Sequence, residues 1–330
     1  MKFGFVLNII FLFIRTALCN CEIVNSERQV SEFVCPGGFY ELSDFKLFNC
    51  KKFKNDFNPK DVFEGAIIYV KPGLLGKFFL KYHPLIKEKY ILITNGGDPE
   101  SPGEYANYLN DSKIIAWFSR NPSIRFHEKF IPIPIGVNCK FPTNMHRKEI
   151  HTMNLVSEEK VEKKHVLYLN IGVQTYPDER QDVYDLFSQK NYCFTSSRVS
   201  LSEYLHHIKS SVFILSPRGN GLDCFRTWEA MLMGSIPIVT TSFLDPLFED
   251  LPVVIIDSWQ NINKELLLKK FNELKNKSFS FEKLFMGYWQ KEINKRLSLA
   301  GVSRRVSYFD EECLYENPFA IYQDINICDL

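Results

Sequence analysis

Two arginines, two acids and a pair of glycines are concentrated in Ser216-Pro-Arg-Gly-Asn-Gly-Leu-Asp-Cys-Phe-Arg-Thr-Trp-Glu229, and together they could do chemistry on an anionic ligand. Arg218 and Arg226 are cations of the kind that clamp phosphate oxygens, and a carboxylate such as Glu229 suits a pair of vicinal hydroxyls, as on ribose. Gly219 and Gly221, on either side of Asn220, allow the backbone to come close to a ligand. The spacing predicts a helix over about 223–233 that stops at Gly234, with Asp223 as its N-cap or first-turn acid. On that helix Arg226 and Glu229 stand three residues apart and share a face. An intrahelical ion pair on a solvated surface would use the same spacing.

These residues need a strand to present them. Residues 211–215, Ser-Val-Phe-Ile-Leu, are short, apolar and partly β-branched, the signature of a strand buried on both faces of a parallel sheet. A polar glycine loop that leaves such a strand and runs into a helix offers backbone N–H groups to an anion such as a diphosphate. After the helix, Ser235-Ile-Pro-Ile-Val239 reads as the next strand.

The block from Ser216 to Val239 resembles the nucleotide-sugar-binding half of the exostosin-like glycosyltransferases, the GT47 type. The resemblance extends through Pro246-Leu-Phe-Glu-Asp-Leu-Pro-Val-Val-Ile-Ile-Asp-Ser-Trp259 and, more loosely, through Leu167-Tyr-Leu-Asn-Ile-Gly-Val-Gln-Thr-Tyr-Pro-Asp-Glu-Arg180. It implies a GT-B architecture, two Rossmann-like α/β domains facing across a cleft, with the donor held by the C-terminal one. It implies donor binding by Arg218, Gly219, Asn220, Gly221, Asp223, Arg226 and Glu229, with Arg180 a further candidate cation. A structural salt bridge would explain Arg180 equally well.

Sugar transfer requires charge stabilisation on the leaving phosphate and, if configuration inverts, a base for the acceptor hydroxyl. No Asp-x-Asp occurs anywhere in the chain. Neutralisation is therefore expected from Arg218, Arg226 and the helix N-terminus, without metal or cofactor. The candidate base is Asp98, in the glycine loop after the apolar run Tyr90-Ile-Leu-Ile-Thr94, with Glu100 and Glu104 next; an Asp that merely organises the turn before Pro99 is the competing reading. Residues 117–121 and His127 are expected to line the acceptor side.

The three runs 65–70, 90–94 and 113–118 and the five near 166–171, 192–195, 212–215, 236–240 and 253–256 give the βαβ rhythm of an α/β protein. Amphipathic helices are expected at 178–189, 201–210 and 264–276, and a helical C-terminal segment over 281–305 that braces the two domains or simply packs. The prolines of Ile131-Pro-Ile-Pro-Ile135 restrict that run to a sheet edge or exit segment. The expected domains are 20–145 and 165–280, joined by a polar linker at 146–164 and followed by a helix and tail at 281–330.

Forty basic and thirty-nine acidic residues leave a net charge of +1, which gives no field to attract nucleic acid. Lys2, the apolar run 5–14 and Ala17-Leu-Cys19 read as a signal peptide over 1–19, with an uncleaved signal-anchor holding the chain at a membrane as the alternative. Either implies the secretory pathway: Golgi or ER lumen in a eukaryote, otherwise export. The sequons at Asn110 and Asn276 agree with a lumenal site. Of nine cysteines, Cys35 with Cys50 and Cys313 with Cys328 are the first pairs to expect, and Cys139 and Cys224 read as buried thiols.

The reading is an exported, metal-independent transferase that moves a sugar from a nucleotide-sugar, UDP-linked before others, to a glycan or glycoconjugate hydroxyl. A GDP-fucose-dependent fucosyltransferase-like enzyme and a non-catalytic sugar- or nucleotide-binding relative are the alternatives. An oxidoreductase is disfavoured because the glycine loop comes late and lacks G-x-G-x-x-G spacing.

Overall fold

Two five-stranded, all-parallel sheets organise the chain. The computed structural model describes residues 32–48, 57–139 and 146–309, with 322, 325, 327 and 330. The expected signal peptide and Cys50, Cys313 and Cys328 lie outside the described residues. Both sheets belong to one compact unit, residues 31–330.

The first sheet takes β1 (Phe45–Leu47), β2 (Ala66–Val70), β3 (Tyr90–Thr94), β4 (Ile114–Ser119) and β5 (Phe130–Pro132) side by side in chain order. Side chains alternate across it with period two. Ala66, Ile68, Val70, Tyr90 and Leu92 pack with Leu75, Phe78, Phe79 and Leu109 from the connecting segments. Ile67, Tyr69, Ile91, Ile93 and Phe118 face the opposite way, into the larger core. β5 is the edge strand that its prolines require, while β1 has only three residues and too little pattern to be read in advance.

That second face is covered by α1 (Pro36–Glu41) and by α7 (Met286–Leu299), from the far end of the chain. Met286, Trp289, Ile293 and Leu297 of α7 are buried in the same core as Phe39 and the sheet residues. Phe39 meets Trp289 edge-on, and Arg304 makes a two-pronged ion pair with Asp44, both contacts at 2.6 Å. Lys283, just before α7, donates to the carbonyls of Leu247 and Glu249 beside the second sheet. The C-terminal segment thus joins the surroundings of both sheets.

The second sheet contains β6 (His165–Leu169), β7 (Cys193–Thr195), β8 (Ser211–Leu215), β9 (Ile236–Thr240) and β10 (Val254–Ile256), in the spatial order β10-β9-β8-β6-β7. Its helices are α3 (Pro177–Phe187), α4 (Leu201–Lys209), α5 (Phe225–Leu232) and α6 (Lys264–Leu274). The segment expected to be a linker contains α2 (His146–Glu158), whose Met153 and Val156 are buried. Apolar residues at that spacing form one helical stripe, which the surrounding charge hid from the sequence reading.

The cysteine pairing differs from expectation. Cys35 is bonded to Cys139, so it is not Cys50's partner and Cys139 is not a thiol. Spacing along the chain favoured the near neighbour, but the exit segment after β5 returns beside the start of α1, where Val137 N–H also donates to the Val34 carbonyl at 2.8 Å. The disulfide thereby anchors a segment that reaches the second sheet's loops.

Candidate functional site

In chain order the strands of the second sheet lie 2-1-3-4-5, and the order reverses between β6 and β8. Ligands of open parallel sheets bind outside the carboxyl ends of the strands at such a reversal. The loops there are 170–176, after β6, and 216–224, after β8. Arg180, buried on α3, fastens them together: Nε donates to the Arg218 carbonyl at 2.8 Å, Nη1 to the Gly172 carbonyl at 3.0 Å. Its partners are backbone oxygens and the Cys224 sulfur rather than a carboxylate, so Arg180 braces the two loops instead of forming a salt bridge.

The glycines of the loop make room for protein side chains. A Cβ on Gly219 would lie 3.3 Å from Arg180 Nη2, and one on Gly221 would lie 2.6 Å from Asn121 Nδ2. Asn121 lies two residues beyond the end of β4, a strand of the other sheet. Its Oδ1 accepts the N–H of Asp223 at 3.2 Å while its Nδ2 donates to the Asp98 carbonyl at 3.1 Å.

Asp223 is not the N-cap. The cap position is Cys224, without a side-chain capping bond, and α5 starts at Phe225. The Asp223 carboxylate accepts instead from Trp228 Nε1, at 2.9 Å to each oxygen, from the Cys224 N–H at 2.8 Å and from the Ile135 N–H at 2.6 Å. It therefore ties the helix start to the exit segment of the first sheet. Burial lifts its pKa to about 6 against these donors and the nearby Arg120 charge.

That shift has a definite sign. Between about pH 4, where an unfolded Asp titrates, and pH 6 the native protein holds a proton that the unfolded chain has released. The Asp223 share of stability is full below that window and is lost as pH rises through it. Urea unfolding of wild type and Asp223→Asn from pH 4 to 7 is expected to show wild type losing stability relative to the variant as pH rises.

Arg226 and Glu229 share a face of α5, as their spacing predicts, but do not form the surface ion pair. Glu229 is buried; Oε2 accepts the Tyr204 hydroxyl at 3.0 Å and Oε1 the Asn138 N–H at 3.4 Å. Burial raises its pKa, opposed by Tyr204, by the Arg226 charge and by Asn138. Nε and Nη1 of Arg226 are buried and have no hydrogen-bond partner among the described residues. Leaving such donors unpaired is costly, and an uncapped helix start one residue away adds open N–H groups and positive dipole potential. Arg218 lies over the Tyr176 ring at 4.8 Å and donates to the Asn220 carbonyl at 3.0 Å, which keeps its guanidinium beside both loops. Ser216, Arg218, Leu222, Asp223 and Thr227 also line a pocket with Thr240 at the end of β9 and Thr241 and Ser242 after it.

Asp98 is exposed on the loop after β3, 3.4 Å from Arg120 Nη2. Arg120 also donates to the Gly97 carbonyl, and its buried Nε has no partner among the described residues. Sequence reading named its segment but not this side chain, because a single arginine after a strand has no distinguishing pattern. Glu100 and Glu104 are exposed in the same region. His127 accepts the Lys129 N–H at 3.1 Å within its own turn. Among the described residues no group of three or more His, Cys, Asp or Glu side chains is placed to hold a metal ion.

Residues 153–246 match the family model described as the RXYLT1 C-terminal domain. The match supports a glycosyltransferase of the exostosin type. It spans β6 to β9 and contains Arg180, Arg218, Gly219, Asn220, Gly221, Asp223, Arg226 and Glu229, but not Asp98. No curated protein matches the chain.

Proposed function

We propose that the chain transfers a sugar from a UDP-sugar to a glycan or glycoconjugate hydroxyl, as a GT47-like enzyme with a GT-B cleft between its two sheets. The observation that carries this is the Arg226 guanidinium, with two buried nitrogens unpaired beside an uncapped helix start at the sheet's reversal point. A diphosphate supplies the oxygens that those donors lack. The relation of the matched domain to xylosyltransferases makes xylose the first sugar to test.

In this reading Arg226 and the first turn of α5 receive the diphosphate and stabilise its growing charge as the glycosidic bond breaks. Arg218 closes over it from the loop. Glu229 receives the ribose hydroxyls: its contact with Asn138 is long at 3.4 Å, so a hydroxyl can replace it, while Tyr204 holds the other oxygen in place. Asp98, across the junction, takes the proton of the acceptor hydroxyl. The N-terminal segment directs the chain to the secretory pathway, cleaved or retained as an anchor.

Thermal unfolding with a panel of nucleotides tests the donor assignment. UDP at a hundred times its dissociation constant is expected to stabilise the fold by about 2.7 kcal/mol. A response to GDP alone would favour the fucosyltransferase-like reading, and no response to any nucleotide would remove the donor site. Transfer is also expected to persist in EDTA, because the arginines and the helix N-terminus supply the positive charge; a strict requirement for manganese or magnesium would contradict this.

A further inference from the structure

Asn121 occupies an unusual position in this arrangement. It is 1% exposed, and its backbone lies in the left-handed region at φ 52°. Asn is one of the few residues with a side chain that tolerates this conformation. Its amide both accepts and donates, and here it does so to opposite sides of the junction. The carbonyl oxygen receives the Asp223 N–H from the glycine loop, the NH₂ group donates to the Asp98 carbonyl, and its own backbone carbonyl receives the Ser101 N–H at 3.0 Å. Gly221 leaves the space that the side chain fills. Arg120, the preceding residue, contacts Gly97 and Asp98 on the same loop.

We propose that Asn121 is a positioning residue that transmits donor occupancy of the 216–224 loop to the 95–101 loop, so that nucleotide binding further orders the loop that carries Asp98. This rests on the reading of the 216–224 loop as the donor site. A ligand that orders the glycine loop fixes the Asp223 N–H and, through the Asn121 side-chain amide, the Asp98 carbonyl. The coupling is an ordering effect carried by the two hydrogen bonds of the Asn121 side-chain amide.

Amide hydrogen exchange with and without saturating UDP tests the proposal on the full chain. In wild type UDP is expected to slow exchange about tenfold both at 216–224 and at 95–101. Asn121→Asp keeps the acceptor for Asp223 but removes the donor to Asp98, and Asn121→Gly keeps the backbone conformation while deleting the side chain. Both are expected to retain UDP protection at 216–224 and lose it at 95–101. Equal protection of both loops in the two variants, or protection of 216–224 alone in wild type, would overturn the coupling while leaving the donor site intact. No protection of 216–224 in wild type would overturn the donor site and the coupling with it.

Discussion

Asp98→Asn is expected to lower sugar transfer by about a hundredfold to ten-thousandfold, the range spanned by loss of a general base, while UDP affinity stays within about twofold. The side chain is exposed at the carboxyl edge of the first sheet, and Asn121 joins its backbone to the glycine loop of the second. The two loops meet at Asn121, the arrangement that the proposed pairing of acceptor base with donor diphosphate uses. Asparagine preserves the size of the side chain and its turn-forming capacity before Pro99, so the change removes the carboxylate charge, and with it the 3.4 Å contact to Arg120, without reshaping the turn. NMR of the product anomer belongs with this measurement. Inversion of configuration is expected; retention would remove the need for a base, and near-normal turnover of the variant would return Asp98 to its turn and pass the role to Glu100 or Glu104.

Arg226→Ala is expected to weaken UDP binding by about tenfold to a hundredfold, the equivalent of one or two charge-assisted hydrogen bonds. Its effect on stability should be the reverse of that of an ordinary buried arginine. Two of its nitrogens satisfy nothing in the free protein, so their removal relieves a desolvation cost and the urea midpoint should hold or rise. Lysine should restore little of the affinity, because a single ammonium cannot reproduce the guanidinium fork. A large loss of stability with unchanged UDP affinity would assign Arg226 to the core instead.

The strands of the second sheet were legible because each is a short apolar run next to Gly, Pro or polar residues, and the α5 spacing correctly placed Arg226 and Glu229 on one face. The role of Asp223 was not. Its partners Ile135, Asn121 and Trp228 include two from segments that leave strands of the other sheet, and local spacing carries no information about such a contact. For the same reason the glycines were read as making room for ligand alone, although Gly219 and Gly221 also accommodate Arg180 and Asn121. The Cys35–Cys139 bond joins residues 104 positions apart and follows from the return path of the chain, which only the assembled fold defines.

A crystal structure of the UDP complex tests the placement of the donor most directly. Diphosphate oxygens are predicted within hydrogen-bonding distance of Arg226 Nε and Nη1 and of the first N–H groups of α5, with the ribose hydroxyls on Glu229. A nucleotide seated elsewhere, with the Arg226 nitrogens still unpaired, would contradict it.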